Sequence, residues 1–231
     1  MQTPLSLYNM KIIARIYNDF EEKFGIPRQS GILDGFLSRI VFEPEYRVRE
    51  ALRGIEDFSH LWLIWNFSEA ERDTWSPTVR PPRLGGNKRM GVFATRAPYR
   101  PNPIGLSSVR LVAVQDSKDG PTLIVSGADM MSGTPIYDIK PYLPYTDSHP
   151  EASSGFAAEV FDYSLHVDFP EELLALIPED KRAGLITLLE NDPRPSYKAE
   201  GDRVYTFSFA GYEISFKVDN GCLTVLGVFE K

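Results

Sequence analysis

Cysteine occurs once in the 231 residues, at Cys222, and histidine three times, at His60, His149 and His166. One cysteine excludes an internal disulfide and a cysteine-rich zinc site, and the histidines stand at no metal-like spacing. Long apolar runs are also missing: none approaches the ~18 residues of a membrane-spanning helix. The longest, Leu61 to Phe67, is broken by Asn66 and reads as a buried strand. The first residues, MQTPLSLYNMKIIARIY, have neither the basic nor the apolar region of a secretory signal. These absences predict a cytoplasmic chain without a metal. There is no GxGxxG after a strand, no P-loop, no GxSxG elbow and no HExxH helix. A nucleotide-like cofactor must therefore bind outside the doubly wound fold.

What is present is a near-average globular composition, 42% hydrophobic and 25% charged, with enough length for a sizeable core. The net charge of −7 is unevenly spread. Residues 1–150 hold 18 Lys/Arg against 17 Asp/Glu, and residues 151–231 hold 7 against 15. Between Arg80 and Arg100 stand six basic residues (Arg80, Arg83, Lys88, Arg89, Arg96, Arg100) and no acidic one. A local +6 in a chain otherwise at −13 is the footprint of an anionic ligand. A solvated basic loop would carry the same charge, but it would not need the interleaved Gly and Pro.

Short β-type segments dominate the first part: Met10–Tyr17, Arg39–Phe42, Ser59–Phe67, Gly91–Thr95, Leu106–Gln115 and Thr122–Gly127, with a short helix over Glu45–Gly54. The expected fold class is α+β, with an antiparallel, barrel-like single-sheet domain over 1–150. A small α+β domain follows over 151–231. Helices are expected at Glu171–Ile177 and Glu179–Glu190, then strands Arg203–Ala210, Glu213–Val218 and Leu223–Phe229. Asp219–Asn220–Gly221 is a strong hairpin signal. The stretch Glu69–Met90 exceeds the ~12–15 residues usual for structureless loops, which points to function.

Three constellations can carry chemistry. Gly85–Gly86–Asn87 would let backbone amides approach an anion, or simply make a tight turn. Arg100–Pro101–Asn102–Pro103–Ile104–Gly105 has φ restricted by its prolines and suits a rigid binding wall or an ordinary bend. Alternation places Asp138, Lys140 and Tyr142 on one face of an extended segment, where they fit an acid–base group or a structural ion pair equally well.

At this point four blocks become recognisable: PRQ at Pro27–Gln29, GIEDFSHLWLIW at Gly54–Trp65, VRPPRLGGNKRMGVFATR…RPNPIGLS from Val79 to Ser107, and GADMMSGTPIYDIKPYLPY at Gly127–Tyr145. Together they resemble the TrmO (TsaA-like) family over about residues 8–148. LLENDPRPSY at Leu188–Tyr197 is similar to the smaller domain of its bacterial members. The resemblance implies an S-adenosylmethionine-dependent enzyme acting as a homodimer on N6 of N6-threonylcarbamoyladenosine at position 37 of threonine tRNA. It implies cofactor contacts at Pro27, Arg28, Gln29, His60, Leu61, Arg96, Leu106 and the turn Met130, Met131, Ser132, Gly133. Asp138 becomes the candidate proton acceptor, with Lys140 and Tyr142 orienting it. The tRNA would be gripped by Arg80, Arg83, Lys88, Arg89 and Arg100; if the C-terminal domain folds over the site, Asp192, Arg194 and Tyr197 would border the substrate, with Asp192 or Tyr197 as the alternative proton acceptor. The alternatives are a non-catalytic S-adenosylmethionine- or RNA-binding module and an enzyme for another anionic substrate.

Overall fold

The computed structural model describes residues 10–27, 29–31, 36–70, 72, 74–81, 88–160, 163–194 and 203–231. Eight strands come first: β1 (Ala14–Tyr17), β2 (Leu37–Phe42), β3 (His60–Asn66), β4 (Thr78–Val79), β5 (Met90–Gly91), β6 (Ile104–Ser117), β7 (Gly120–Ser126) and β8 (Pro135–Pro141). Six of them pair antiparallel in the order β1-β2-β7-β6-β3-β8, and β8 pairs back onto β1, so the sheet closes into a barrel. Alternation decides what faces inward: in β3, Leu61, Leu63 and Trp65 are buried while His60, Trp62 and Ile64 are only partly covered. With Ala14, Ile16, Ile40, Val109, Leu123, Val125 and Ile136 they form one core.

The two-residue strands β4 and β5 pair only with each other, Thr78 with Gly91 and Val79 with Met90. With Arg80, Pro81, Lys88 and Arg89, the described residues between them, they form an arm. A short helix, α1 (Pro144–Asp147), closes this part of the chain.

The remainder contains β9 (His166–Asp168), α2 (Glu171–Leu174), α3 (Glu179–Glu190), β10 (Tyr205–Phe209), β11 (Tyr212–Asp219) and β12 (Cys222–Glu230). Its sheet runs β10-β11-β12-β9, antiparallel except for the β12–β9 pair. Asn220 and Gly221 have φ of +47° and +76°, the left-handed pair required by the tight turn predicted there. α3 covers a second core of Leu185, Leu188, Leu189, Phe207, Phe209, Ile214, Phe216 and Leu223.

Two local expectations fail. The helix expected over Glu45–Gly54 is a pair of 3₁₀ turns, Pro44–Tyr46 and Arg49–Leu52, with Leu52 the one buried residue and no side-chain cap. So short a segment lacks the buried face that stabilises an α-helix. The strand expected over Gly91–Thr95 stops at Gly91 and becomes a 3₁₀ turn over Val92–Ala94. The Val92 amide still donates to the Pro77 carbonyl at 3.0 Å, but the Thr95 amide closes a turn onto the Val92 carbonyl at 3.1 Å, and Phe93 is left 71% exposed.

Candidate functional site

The most unusual chemistry in the barrel is a buried polar relay. Trp65 and Ser107 face inward from the paired strands β3 and β6, and Ser107 is fully buried. The Trp65 indole N–H donates to Ser107 Oγ at 2.9 Å, and that hydroxyl donates to Asp129 Oδ1 at 2.5 Å. A buried hydroxyl needs both partners, since an unmet one costs about 1–3 kcal/mol. The indole reaches Ser107 because Gly105 lies beneath it: a Cβ there would sit 2.2 Å from the ring.

Asp129 stands on the loop after β7, partly exposed. Burial pushes its carboxyl above the usual carboxylate range; the Ser107 hydroxyl, the amides of Asp129 and Ser30, and the charge of Arg96 oppose that shift. The guanidinium of Arg96 in turn donates to Gln29 Oε1 at 2.6 Å. Ser30 Oγ accepts the Ser108 amide at 3.2 Å, and the Gly31 amide donates to the Gly127 carbonyl at 2.9 Å. A cation, an amide and a carboxylate thus converge at the barrel rim. Neither Ser107 nor Asp129 is expected from sequence. The only available signal is a polar residue at an inward position of β6, legible once the register is known.

The other expected cofactor residues lie in different surroundings. Pro27 is buried. Met130 is 1% exposed and Leu61 0%, both in the barrel core, so only their backbones can face a ligand. Ser132 and Gly133 are bound to the β1 end: the Ser132 amide donates to Phe20 O at 2.8 Å and the Gly133 amide to Ile16 O at 2.7 Å. Met131 is partly buried in the same turn. Leu106 points outward from β6, 57% exposed. His60, whose Nδ1 lies 2.9 Å from Ser59 Oγ, is five residues from Trp65, about 16 Å along the strand. One chain therefore gathers Gln29, Arg96 and the 130–133 turn near Asp129 and leaves His60 apart.

Asp138, Lys140 and Tyr142 lie with His60 on the outer side of β3 and β8. Asp138 is opposite Ile64 and Lys140 opposite Trp62. Asp138 Oδ2 pairs with Lys140 Nζ at 2.7 Å, and its other oxygen accepts the Ile139 amide. Tyr142 packs against Trp62 and His60, with ring centroids 5.5 and 6.1 Å apart. The Trp62 indole N–H and the Leu143 amide both donate to Asp147, holding that carboxyl below its usual range.

The expected RNA grip divides in three. Arg80, Lys88 and Arg89 are exposed on the β4–β5 arm, while Arg28, Arg83, Tyr197 and the Gly85–Gly86–Asn87 turn lie outside the described residues. Arg100 does not extend freely: its Nη1 donates to the carbonyls of Val92 and Thr95 at 3.1 and 2.7 Å, bracing the turn that leads to Arg96. Asp192 and Arg194 do not reach outward either. They are 0% and 4% exposed and form a two-pronged ion pair, both bonds 2.7 Å, with the Tyr163 hydroxyl donating to Asp192 at 3.0 Å. The two side chains expected to border the substrate instead face each other in the interior, each supplying the partner that a buried charge needs.

Beside the arm lies a feature that charge counting overlooks. Trp75 (50% exposed) and Phe93 stack at 6.0 Å and 29°, and Arg72 lies 3.9 Å over the Tyr99 ring. Exposed aromatics among cations suit unpaired nucleobases better than bare phosphates. Among the described residues, no cluster of three or more His, Cys, Asp or Glu could hold a metal, and no helix is long and apolar enough to cross a membrane.

Comparison with known proteins identifies the family. Residues 15–148 match the tRNA-methyltransferase O N-terminal domain, and residues 162–231 match the TrmO C-terminal domain. A tRNA (adenine(37)-N6)-methyltransferase of Escherichia coli K12 is 38% identical over 97% of this chain and 99% of its own. One from Eikenella corrodens is 42% identical over 74% of this chain and 97% of its own. The crystal structure of TrmO from Pseudomonas aeruginosa superposes with a TM-score of 0.75 at 33% identity, covering 96% of this chain and 98% of that one. Matched along both of its parts by these family models, the chain belongs to the tRNA-methyltransferase O family.

Proposed function

We propose that this protein is a tRNA methyltransferase that transfers the methyl group of S-adenosylmethionine to N6 of the adenosine at position 37. Its substrate nucleoside is N6-threonylcarbamoyladenosine of threonine tRNA, and it works in the cytoplasm as a homodimer. The observation that carries the reading is the convergence of Arg96, Gln29 and Asp129 at the root of a basic arm. These residues fit the cofactor's polar groups. Arg96 matches its carboxylate, and Gln29 matches its ribose hydroxyls. A second copy of the chain would supply the His60–Leu61 end missing from this cluster.

When bound, S-adenosylmethionine supplies a methyl group on a sulfonium leaving group. The protein holds the adenosine nitrogen in line with it, a positioning effect worth up to ~7–11 kcal/mol. The N6 lone pair is delocalised into the ring and the carbamoyl group, so a proton acceptor helps. Two carboxylates compete for that role, Asp138 with Lys140 and Tyr142 as orienters, and Asp129. Geometry favours Asp129: Asp138 is already neutralised by Lys140, whereas Asp129 is partly buried and burial raises its carboxyl above the usual range.

The test is methyl transfer to tRNA from a strain lacking the endogenous activity, read by mass spectrometry of nucleoside 37. Binding of cofactor and tRNA without transfer would identify a non-catalytic module instead. On the arm, Lys88→Ala and Arg89→Ala should each flatten the salt dependence of tRNA binding by about one unit of slope. Phe93→Ala should cost about 1–3 kcal/mol of tRNA affinity with the slope kept, because a lost base stack releases no counterion. Equal slopes for all three variants would remove the distinction between phosphate grip and base platform.

A further inference from the structure

The segment from residue 18 to residue 36 joins β1 to β2, which are paired neighbours in the barrel. A tight hairpin could close that gap. Instead the segment runs into the second core. Phe20 and Phe36 are 2% and 4% exposed there, with ring centroids 6.1 and 5.2 Å from Phe209. Phe24 meets Phe207 edge-on at 5.9 Å. The fit leaves no slack: a Cβ at Gly25, whose φ is +92°, would lie 2.5 Å from the Phe207 ring, and one at Gly184 of α3 would lie 2.4 Å from Phe36. Polar bonds fasten the same stretch. Lys181 of α3 pairs with Asp19, the Ala210 amide donates to Asp19 O at 3.2 Å, and Ser208 Oγ donates to Glu22 at 2.7 Å. Ser208 and Lys231 hold the Glu22 carboxyl below its usual range.

The other side of this segment builds the candidate site. Asn18 Nδ2 donates to Met130 O at 2.9 Å, and Phe20 O accepts the Ser132 amide, so the 130–133 turn hangs on it. A few residues on, Gln29, Ser30 and Gly31 attach to Arg96, Ser108 and Gly127. The residues that anchor in the C-terminal sheet and those that border Asp129 are therefore one continuous strap.

We propose that the C-terminal sheet and α3 position the cofactor site through this strap. Seating Asp19 to Ile26 in the second core holds Gln29–Ser30 and the 130–133 turn ready for S-adenosylmethionine. Phe24, Asp19 and Lys181 are positioning residues, since they touch the second core and neither Arg96 nor Asp129. Ordering the strap in advance removes a cost that each binding event would otherwise carry. This rests on the cofactor reading above.

The test uses the full chain with Phe24→Ala and Lys181→Met. Calorimetric titration should show S-adenosylmethionine binding weakened by about 5–150-fold, the usual range of coupling between two sites. The KM for tRNA should stay unchanged, with kcat restored at saturating cofactor. Phe24→Leu should recover most of the loss, and Asp19→Lys combined with Lys181→Asp should recover what either single change loses. A lowered thermal midpoint with unchanged cofactor affinity would overturn the proposal, as would equal losses for cofactor and tRNA. If Phe24→Ala does not fold, the Lys181→Met and swap variants decide, because that ion pair is only about three-quarters covered. Failure of the unaltered protein to bind S-adenosylmethionine overturns the cofactor reading itself, a separate result.

Discussion

Asp129→Asn is expected to lower kcat by about 10²–10⁴-fold, the range for losing a positioned proton acceptor, while raising the thermal midpoint at neutral pH. Both effects come from the same environment. Burial raises the Asp129 carboxyl above its unfolded value, so the folded chain holds this proton to higher pH than the unfolded chain. A raised acid favours folding at low pH and loses that contribution as pH climbs through the folded value. Above the folded value the ionised carboxylate is a net penalty, which asparagine removes while still accepting the Ser107 hydroxyl. The stability gain should shrink to nothing as pH falls toward the ordinary carboxylate value near 3.8. Thermal melts from pH 4 to 8 beside single-turnover methylation measure both. Asp138→Asn is the control, since its carboxylate is already paired with Lys140 on the outer face. If Asp138→Asn abolishes turnover and Asp129→Asn does not, the two roles are reversed.

Gly105→Ala should be the most damaging small substitution in the barrel. The added methyl would lie 2.2 Å from Trp65 Cε2 and 2.5 Å from Cδ2 and Cζ2, inside any contact a real Cβ makes. The ring cannot yield easily, because its N–H is bonded to Ser107 and its other side meets Phe67 at 4.2 Å between centroids. Overpacking of this kind typically costs 1–3 kcal/mol and occasionally more; about 3 kcal/mol is expected here. For a chain of this length that is a drop in midpoint of roughly 6–12 °C. The relay to Asp129 should fail with it, so kcat falls as well. Adding Trp65→Leu to Gly105→Ala should recover stability but not kcat, because leucine makes room yet cannot donate to Ser107. Recovery of both by the double variant would show that the indole hydrogen bond is dispensable.

Much of the fold is legible along the chain because neighbouring residues decide it. Alternation marks β3 and β11, and α3 runs over Glu179–Glu190 where its apolar stripe predicts. The Asp219–Gly221 turn announces its hairpin through residues that tolerate positive φ. The helix over Glu45–Gly54 misleads because helix-forming composition cannot hold a turn with one buried side chain. Asp192 and Arg194 mislead for a related reason. Charge suggests exposure until a partner two residues away is found facing it in the interior.

The basic stretch, the aromatic and proline content around Arg96, and the family blocks are properties of the sequence alone, since charge and motif order need no contacts. The tertiary structure decided everything that depends on residues far apart. Ser107 meets Trp65 across 42 positions through the β3–β6 register and Asp129 across 22 through the β6–β7 register. The strap from Asn18 to Gly31 spans still greater separations, from Asp19 to Lys181 and from Glu22 to Ser208. No local pattern marks Phe20, Phe24 and Phe36 as members of the second core, because apolar rings in a loop carry no period. Where they are buried is set by the hydrophobic surface that receives them.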